Sequence, residues 1–228
     1  MKNSVAAIAI PVLAAALVAP ALEAAPLPGF VLTAQTPHFS FYSRGEKVEA
    51  QKVEQRVSEL EKMFGQTIKH ADYYRYATAQ EVAAGTGQYA AGVTFAAAAE
   101  VHSTEAFHEH ELVHLVAGQM GDPGAFFQEG LAVAIGNHGR WRGRSVDQVA
   151  KGVTASVDAM VAGFDRMDPE QGYAVAGSFV GYLVRTQGLE KVSTFFRACR
   201  PGTRVAAAFA STFNRTLDAA GASWRASL

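Results

Sequence analysis

The sequence predicts an α+β domain, in which a small mixed sheet with helices forms the N-terminal part and helices form most of the C-terminal part. Segments with strand character, such as 38–43 and 92–95, all precede residue 104. Beyond that point the apolar residues mostly keep helical spacing. Strands that are segregated ahead of helices are typical of α+β folds.

The first 25 residues are typical of a secretory signal peptide. Lys2 precedes an apolar run from Val5 to Val18, and small residues follow it. The run is too short, and too soon followed by Pro20, to span a membrane. We therefore expect an exported protein, in a bacterial periplasm or outside the cell, with no stable membrane insertion after cleavage.

Residues 26–228 are long enough for one domain with a substantial core. We expect a sheet-containing lobe over 26–103 and a helical lobe over 104–228. In the first lobe, Pro and Gly predict an irregular lead-in before the first strand. The predicted elements of this lobe are a lead-in at 26–37, a strand at 38–43, a helix at 46–64, an extended segment at 67–76, a short helix at 78–84, and strands near 92–95 and 98–102.

The second lobe is predicted to be helical over 104–118, 124–136, 173–187, 189–198 and 203–218. Its lone cysteine, Cys199, excludes an internal disulfide, and we expect it to be a packed residue in the last helices. The 20 basic and 21 acidic residues form no run of either sign, which argues against nucleic acid or an anionic membrane as a partner. The sequence does not indicate an oligomeric state.

The octapeptide FHEHELVH, residues 107–114, concentrates three histidines and two glutamates. Ser103 or Thr104 can cap a helix over 105–117, and Gly118 can end it. In such a helix His110 and His114 stand about 40° apart, one turn above the other, so both imidazoles can point at one ion.

The other polar residues of this helix take different directions. Glu111 is about 80° from the middle of the histidine pair, close enough to reach a water on the ion without binding the ion itself. His108 is about 140° away, and we expect it to point elsewhere. Glu109 is expected to be a surface residue.

The pattern His-Glu-x-x-His is typical of zinc hydrolases, in which the histidines hold the ion and the glutamate takes a proton from zinc-bound water. Zinc lowers the pKa of that water toward neutrality and polarises the scissile carbonyl. The alternative is that both histidines are satisfied in a core without a metal, which requires a hydrogen-bond partner for each.

A catalytic zinc site normally has a third protein ligand, and the downstream candidates are Asp122, Glu129 and His138. Asp122 precedes Pro123, which predicts a helix cap. His138 follows the next helix in a loop. Glu129 is the one carboxylate in an otherwise apolar helix, and a turn between the two helices would bring it level with the histidines.

Two further expectations concern the surroundings of Glu129. Gly130 would let its helix approach the helix that carries the histidines. A structural ion pair with an arginine is the alternative role for the Glu129 carboxylate.

HELVH followed by FFQEGLA resembles the gluzincin metallopeptidases, specifically the smaller peptidase MA-like domains. The resemblance covers most of the mature chain, but only residues 107–134 carry its specific motifs. It implies a zincin-like fold with the active site between two lobes. It also implies that His110, His114 and Glu129 bind one Zn²⁺ and that Glu111 is the general base.

The resemblance has further implications. A tyrosine or histidine from the downstream helices would stabilise the developing negative charge, and Tyr173 is the candidate, with Tyr182 and His138 as alternatives. The strand around 92–95 would be the cleft edge to which a peptide substrate adds as a further strand. The family's Asp four residues after the third ligand is Val133 here, so the partner that steadies a ligand histidine is not identified.

The sequence thus predicts an exported zinc metallopeptidase that acts on peptides or proteins. The family's amine-binding Gly-x-Met-Glu-Asn motif is absent from the sequence, which favours an endopeptidase. The alternatives are a catalytically inactive zinc-binding periplasmic protein that keeps the fold, and a structural helical domain without a metal.

Overall fold

The computed structural model describes residues 27–228, so the predicted signal peptide lies outside the described residues. The α+β class is confirmed, because strands of the main sheet precede a largely helical C-terminal part. The strands of this sheet are β1 Val31–Gln35, β2 Phe39–Ser43, β3 Ala71–Arg75, β4 Gly92–Phe95 and β5 Glu100–Ser103.

The main sheet is mixed, with the strand order β1-β2-β3-β5-β4. β2, β3 and β5 are parallel, while β1 and β4 are antiparallel to their neighbours and form the two edges. The parallel pairs need crossovers, which are supplied by helix α1, Ala50–Phe64, and by helix α2, Ala79–Thr86, together with β4. The strand order places β4 at an edge of the sheet, as predicted.

Alternation along the strands buries both faces of the sheet in different cores. Phe39, Phe41 and Tyr73 join the apolar side of α1 in the main core. Tyr42 and Tyr74 belong to a smaller cluster on the other face, which also contains Val82 of α2. Because side chains alternate across a strand, one sheet can support the main core and a second layer.

Eight helices follow the main sheet, and a short hairpin lies among them. The helices are α3 Glu109–Met120, α4 Ala125–Ile135, α5 Val146–Ala150, α6 Val157–Gly163, α7 Pro169–Gln187, α8 Leu189–Ala198, α9 Val205–Phe213 and α10 Leu217–Ser227. The hairpin pairs β6 Arg140–Trp141 with β7 Arg144–Ser145. No helix of residues 27–228 is long and apolar enough to cross a membrane.

Three predictions about the elements up to the helix with the histidines need correction. The lead-in 26–37 contains strand β1, whose largely exposed edge position gives no apolar alternation. The first helix begins at Ala50 instead of residue 46. The helix with the histidines runs from Glu109 to Met120, so the predicted caps at 103 and 104 and the stop at Gly118 are wrong.

The predicted cap at Asp122 is also wrong. Helix α4 begins at Ala125 after Gly124, whose φ of 89° only glycine adopts without strain. The Asp122 side chain instead accepts a hydrogen bond from the Gly124 amide within the turn, at 2.9 Å. The turn is anchored to the end of α8, because the Asp122 amide donates to the Cys199 carbonyl.

Two helix boundaries in the C-terminal part also differ from the prediction. Helix α7 begins four residues early, because Asp168 caps it and Pro169 takes its first position. The predicted helix 203–218 ends at Phe213, where Asn214 adopts a left-handed conformation, and α10 follows. Cys199 is buried in the main core, as expected.

The packing of α4 against α7 positions the third candidate ligand. Gly130 faces α7, because a Cβ on it would stand 2.5 Å from Val180 Cγ2 and 2.7 Å from the Ala176 carbonyl oxygen. The expectation that Gly130 lets α4 approach α3 closely is therefore wrong. Gly136 has that role, since a Cβ there would lie 2.8 Å from the His110 Cα.

We expect Gly130→Ala to destabilise the metal-free protein by about 1–3 kcal/mol, because the new methyl group overlaps backbone atoms of α7. Urea unfolding in the presence of a chelator measures the change. Gly152→Ala is the matched control, since a Cβ there meets no atom within 4 Å. Equal stabilities of the two variants would show that α4 and α7 are not packed this closely.

Candidate metal centre

The side chains of His110, His114 and Glu129 converge in the space between α3 and α4. Successive turns of α3 carry the two histidines, and the turn at 121–124 returns the chain so that α4 lies beside α3. Their Nε2 and carboxylate oxygen atoms form a triangle. His110 Nε2 is 3.1 Å from His114 Nε2 and 3.1 Å from Glu129 Oε2, and His114 Nε2 is 3.3 Å from the same oxygen.

These distances suit a small tetrahedral cation. Zinc binds histidine nitrogen and carboxylate oxygen at about 2.0–2.1 Å, so the ligand atoms around it stand about 3.3–3.4 Å apart. Of the described residues, only these three form a group whose donor atoms could hold a metal ion. Two imidazoles and one carboxylate with one coordination position left are the usual donor set of a catalytic zinc site.

Glu129 is a largely buried carboxylate that is stabilised as an anion. Burial alone would raise its pKa, but hydrogen bonds and positive charge from His110 and His114 lower the pKa to about 2. The pKa of His114 is raised: burial opposes its protonation, and the Glu129 carboxylate more than offsets that effect. Within residues 27–228 the ion-pair partners of Glu129 are these two histidines, so the arginine alternative is not supported.

Asn137 fixes the orientation of the His110 ring. Its Oδ1 lies 2.6 Å from His110 Nδ1, and an amide oxygen can only accept, so Nδ1 carries the hydrogen. When a metal ion is bound, the neutral ring would present the lone pair of Nε2 to that ion. Asn137 therefore supplies the support that the sequence did not identify at Val133.

Glu111 is buried beside the three ligands but is not one of them. Thr94 on β4 donates a hydrogen bond to Glu111 Oε2 at 2.8 Å. Gly92, two residues earlier on β4, leaves room for this side chain, because a Cβ there would stand 2.6 Å from Glu111 Cγ. The edge strand thus positions the carboxylate that the sequence predicts as the general base.

Tyr173 lies at the centre, as expected, in the second turn of α7. Its ring is 6.5 Å from the His110 ring, and its hydroxyl lies near the Glu129 carboxylate. Burial, together with the Glu129 charge, raises the pKa of Tyr173 well above its usual range, so the hydroxyl stays protonated and can donate. Trp141 of the hairpin stacks on the Tyr173 ring with centroids 4.5 Å apart.

The two alternatives to Tyr173 occupy other places. Tyr182 is buried in the main core. His138 is 72% exposed at the mouth of the cavity beside His110, where its Nε2 lies 3.3 Å from Glu109.

Two expectations about α3 need correction. His108 stays outside the group of converging donors, as expected, but it does not point away from the site: its ring lines the same cavity, with its centroid 6.3 Å from that of His110. Glu109 is not merely a surface residue: its side chain is 16% exposed and pairs with Arg56 of α1 at 2.8 Å. Arg56 is distant in sequence, so helical spacing alone could not reveal this pair.

The sequence interpretation did not identify Asn137, Thr94 or Trp141. Asn137 had a usable signal, since an amide directly after the ligand helix can reach back to a histidine on the preceding helix. Thr94 belongs to a strand that was expected to line the cleft. Trp141 lies on a two-residue strand, which is too short for any periodic pattern.

We expect purified protein to contain about one zinc per chain and Glu129→Ala to lose it, because two imidazoles alone make an incomplete site. Elemental analysis after purification without chelators gives the stoichiometry. His108→Ala is the matched control and should keep its zinc. Zinc retained by Glu129→Ala, or lost by the control alone, would contradict this ligand set.

We expect Asn137→Ala to weaken zinc affinity about 10- to 100-fold, because the His110 ring loses the acceptor that fixes it. Asn137→Asp keeps an acceptor oxygen and should retain most of the affinity. Competition with a chromophoric chelator measures both variants. Unchanged affinity in Asn137→Ala would show that packing alone orients the ring.

Comparison with protein-family models, with curated proteins and with solved structures returns no match to this chain. The interpretation of the centre therefore depends on its own geometry.

Proposed function

We propose that the chain is an exported zinc-dependent metallopeptidase with a zincin-like arrangement of sheet and helices. The observation that carries the proposal is the separation of roles in the site. Three donor atoms converge on one point, while the buried Glu111 is held by Thr94 and does not belong to this group. A site that only stores a metal does not need this additional buried carboxylate.

His110, His114 and Glu129 would hold the zinc ion. When bound, the ion supplies a Lewis acid for the scissile carbonyl and lowers the pKa of water. Asn137 keeps the His110 lone pair directed at the ion by accepting the hydrogen of Nδ1. The helices position the donors before the metal binds, which reduces the reorganisation that binding requires.

Glu111 takes a proton from the attacking water and passes it to the leaving amine. Thr94 donates to Oε2, which limits rotation of the carboxylate and leaves Oε1 for this transfer. Tyr173 remains protonated beside Glu129 and is the proposed donor to the negative charge that develops on the carbonyl oxygen.

The position of β4 supports a peptide as the substrate. This strand is an edge of the sheet and carries the residue that holds Glu111. A peptide that pairs with the open edge of β4 would extend past the general base with its backbone satisfied by main-chain hydrogen bonds. Such binding is independent of chain ends and fits an endopeptidase. The proposal that the protein is exported is based on the sequence of residues 1–25.

We expect Glu111→Gln to lower proteolysis of an unfolded substrate such as casein by at least about a hundredfold while zinc content is unchanged, because the amide cannot accept the proton. Release of labelled fragments and elemental analysis measure the two quantities on the same sample. Glu190→Gln, at an exposed carboxylate in the first turn of α8, is the control for activity.

The alternatives predict other outcomes. A zinc-binding protein without turnover would hold one zinc per chain and cleave nothing in either form. A structural domain without a metal would hold no zinc. Cleavage by Glu111→Gln at the parent rate would contradict the assigned base.

A further inference from the structure

A cavity of about 250 Å³ opens beside His110, at the N-terminal end of α3. It is small compared with drug-sized ligand sites and is comparable to the space for one substrate residue. Its polar side chains include His108 and Glu105, to which the proposed mechanism gives no role.

The His108 ring is fixed on two sides. Its Nδ1 lies 2.8 Å from Ser103 Oγ, and Ser103 Oγ also accepts the Glu105 amide hydrogen at 2.9 Å. A Cβ at Gly92 would stand 2.6 Å from both His108 Cε1 and Glu111 Cγ, so the His108 ring and the Cγ of Glu111 both lie beside Gly92, whereas the Glu111 carboxylate is held at Thr94. The His108 side chain is only 14% exposed.

The surroundings favour the tautomer that carries hydrogen on Nε2. The nearest charged group to Nε2 is the Glu105 carboxylate, with Oε1 at 3.7 Å, which is beyond hydrogen-bond range but favours an N–H on that side. Nδ1 then accepts from the Ser103 hydroxyl. His108 thus presents the N–H group of Nε2 toward the cavity. Within the described part of the chain this N–H group forms no hydrogen bond.

The helix does not need this imidazole. His108 is the N-cap residue of α3, yet its side chain makes no capping hydrogen bond. Serine, threonine, asparagine or aspartate would stabilise the helix better at this position. A residue that breaks a local preference without a structural gain is typical of a functional position.

The cavity lies next to the position of the scissile bond. Gly92 and Thr94 are two residues apart on β4, or about 6.6 Å at about 3.3 Å per residue. The ring of His108 lies beside Gly92, whereas Thr94 holds the Glu111 carboxylate. A peptide paired with β4 would therefore pass His108 one or two residues away from the reacting carbonyl.

We propose that His108 is a substrate-binding residue that donates its Nε2 hydrogen to a carbonyl oxygen of the peptide, one or two residues from the scissile bond. This inference rests on the proposed function and assigns the cavity as its adjacent subsite. Glu105, whose side chain is 54% exposed, is displaced from Nε2 by the incoming carbonyl.

Binding without cleavage tests this role. Zinc-loaded Glu111→Gln protein serves as the parent, and the anisotropy of fluorescein-labelled, unfolded β-casein gives the affinity. His108→Phe and His108→Leu both remove the donor, with and without a flat ring, so that one of them remains informative if the other does not fold. His108→Gln keeps an N–H group of similar reach. His70→Phe, at an exposed histidine before β3, is the control.

We expect both donor-free variants to bind about tenfold more weakly, as for the loss of one hydrogen bond. His108→Gln and the control should stay within about threefold of the parent, and zinc content should not change. Equal affinity in the donor-free variants, or weak binding together with zinc loss, would overturn the inference and leave the proposed function standing. Two failures together would overturn both the inference and the proposed function. These are no binding of casein by the Glu111→Gln parent and no cleavage of casein by the protein with Glu111.

Discussion

The rest of the site depends on one interaction, the contact of the Glu129 carboxylate with the imidazoles of His110 and His114. A buried carboxylate without compensation costs several kcal/mol, so α4 is stable in this position only because His110 and His114 face it. The packing reflects this requirement. Gly121, where a Cβ would stand 2.1 Å from the Phe196 carbonyl oxygen, lets the turn after α3 pass close to α8, and Gly136 lets the end of α4 meet the start of α3.

The sheet and the helices contribute different parts of the proposed chemistry. The helices supply the three converging donors, and Asn137 at the end of α4 orients one of them. The edge strand β4 supplies Thr94, which holds Glu111, and Gly92, which leaves room for it. The fold therefore brings the proposed metal-binding group from one part of the chain to the proposed peptide-binding edge from another. Helix α3, which carries the His-Glu-x-x-His motif, is nearly enclosed in this arrangement, although the proposed function requires access for a substrate.

The sequence predicted the fold class, the side-by-side position of the two helices that carry the candidate ligands, and the three converging residues, because all depend on strong local periodicity and on spacing. It failed where a contact or a turn decides the outcome. The Asp-Pro pair caps a helix at Asp168 but only shapes a turn at Asp122, where Gly124 delays the helix. The position of His108 was mispredicted because helical angles were applied to a residue that precedes the first turn.

Zinc K-edge X-ray absorption on the zinc-loaded protein tests the central claim most directly, because it reports the atoms that bind the ion. The account predicts two imidazoles and light oxygen donors at about 2.0–2.1 Å, with four ligands in total. His108→Ala should keep both imidazoles, whereas His114→Ala, which leaves two protein ligands, should lose the zinc. A sulfur ligand, a third imidazole or a shell of oxygen donors alone would contradict the account.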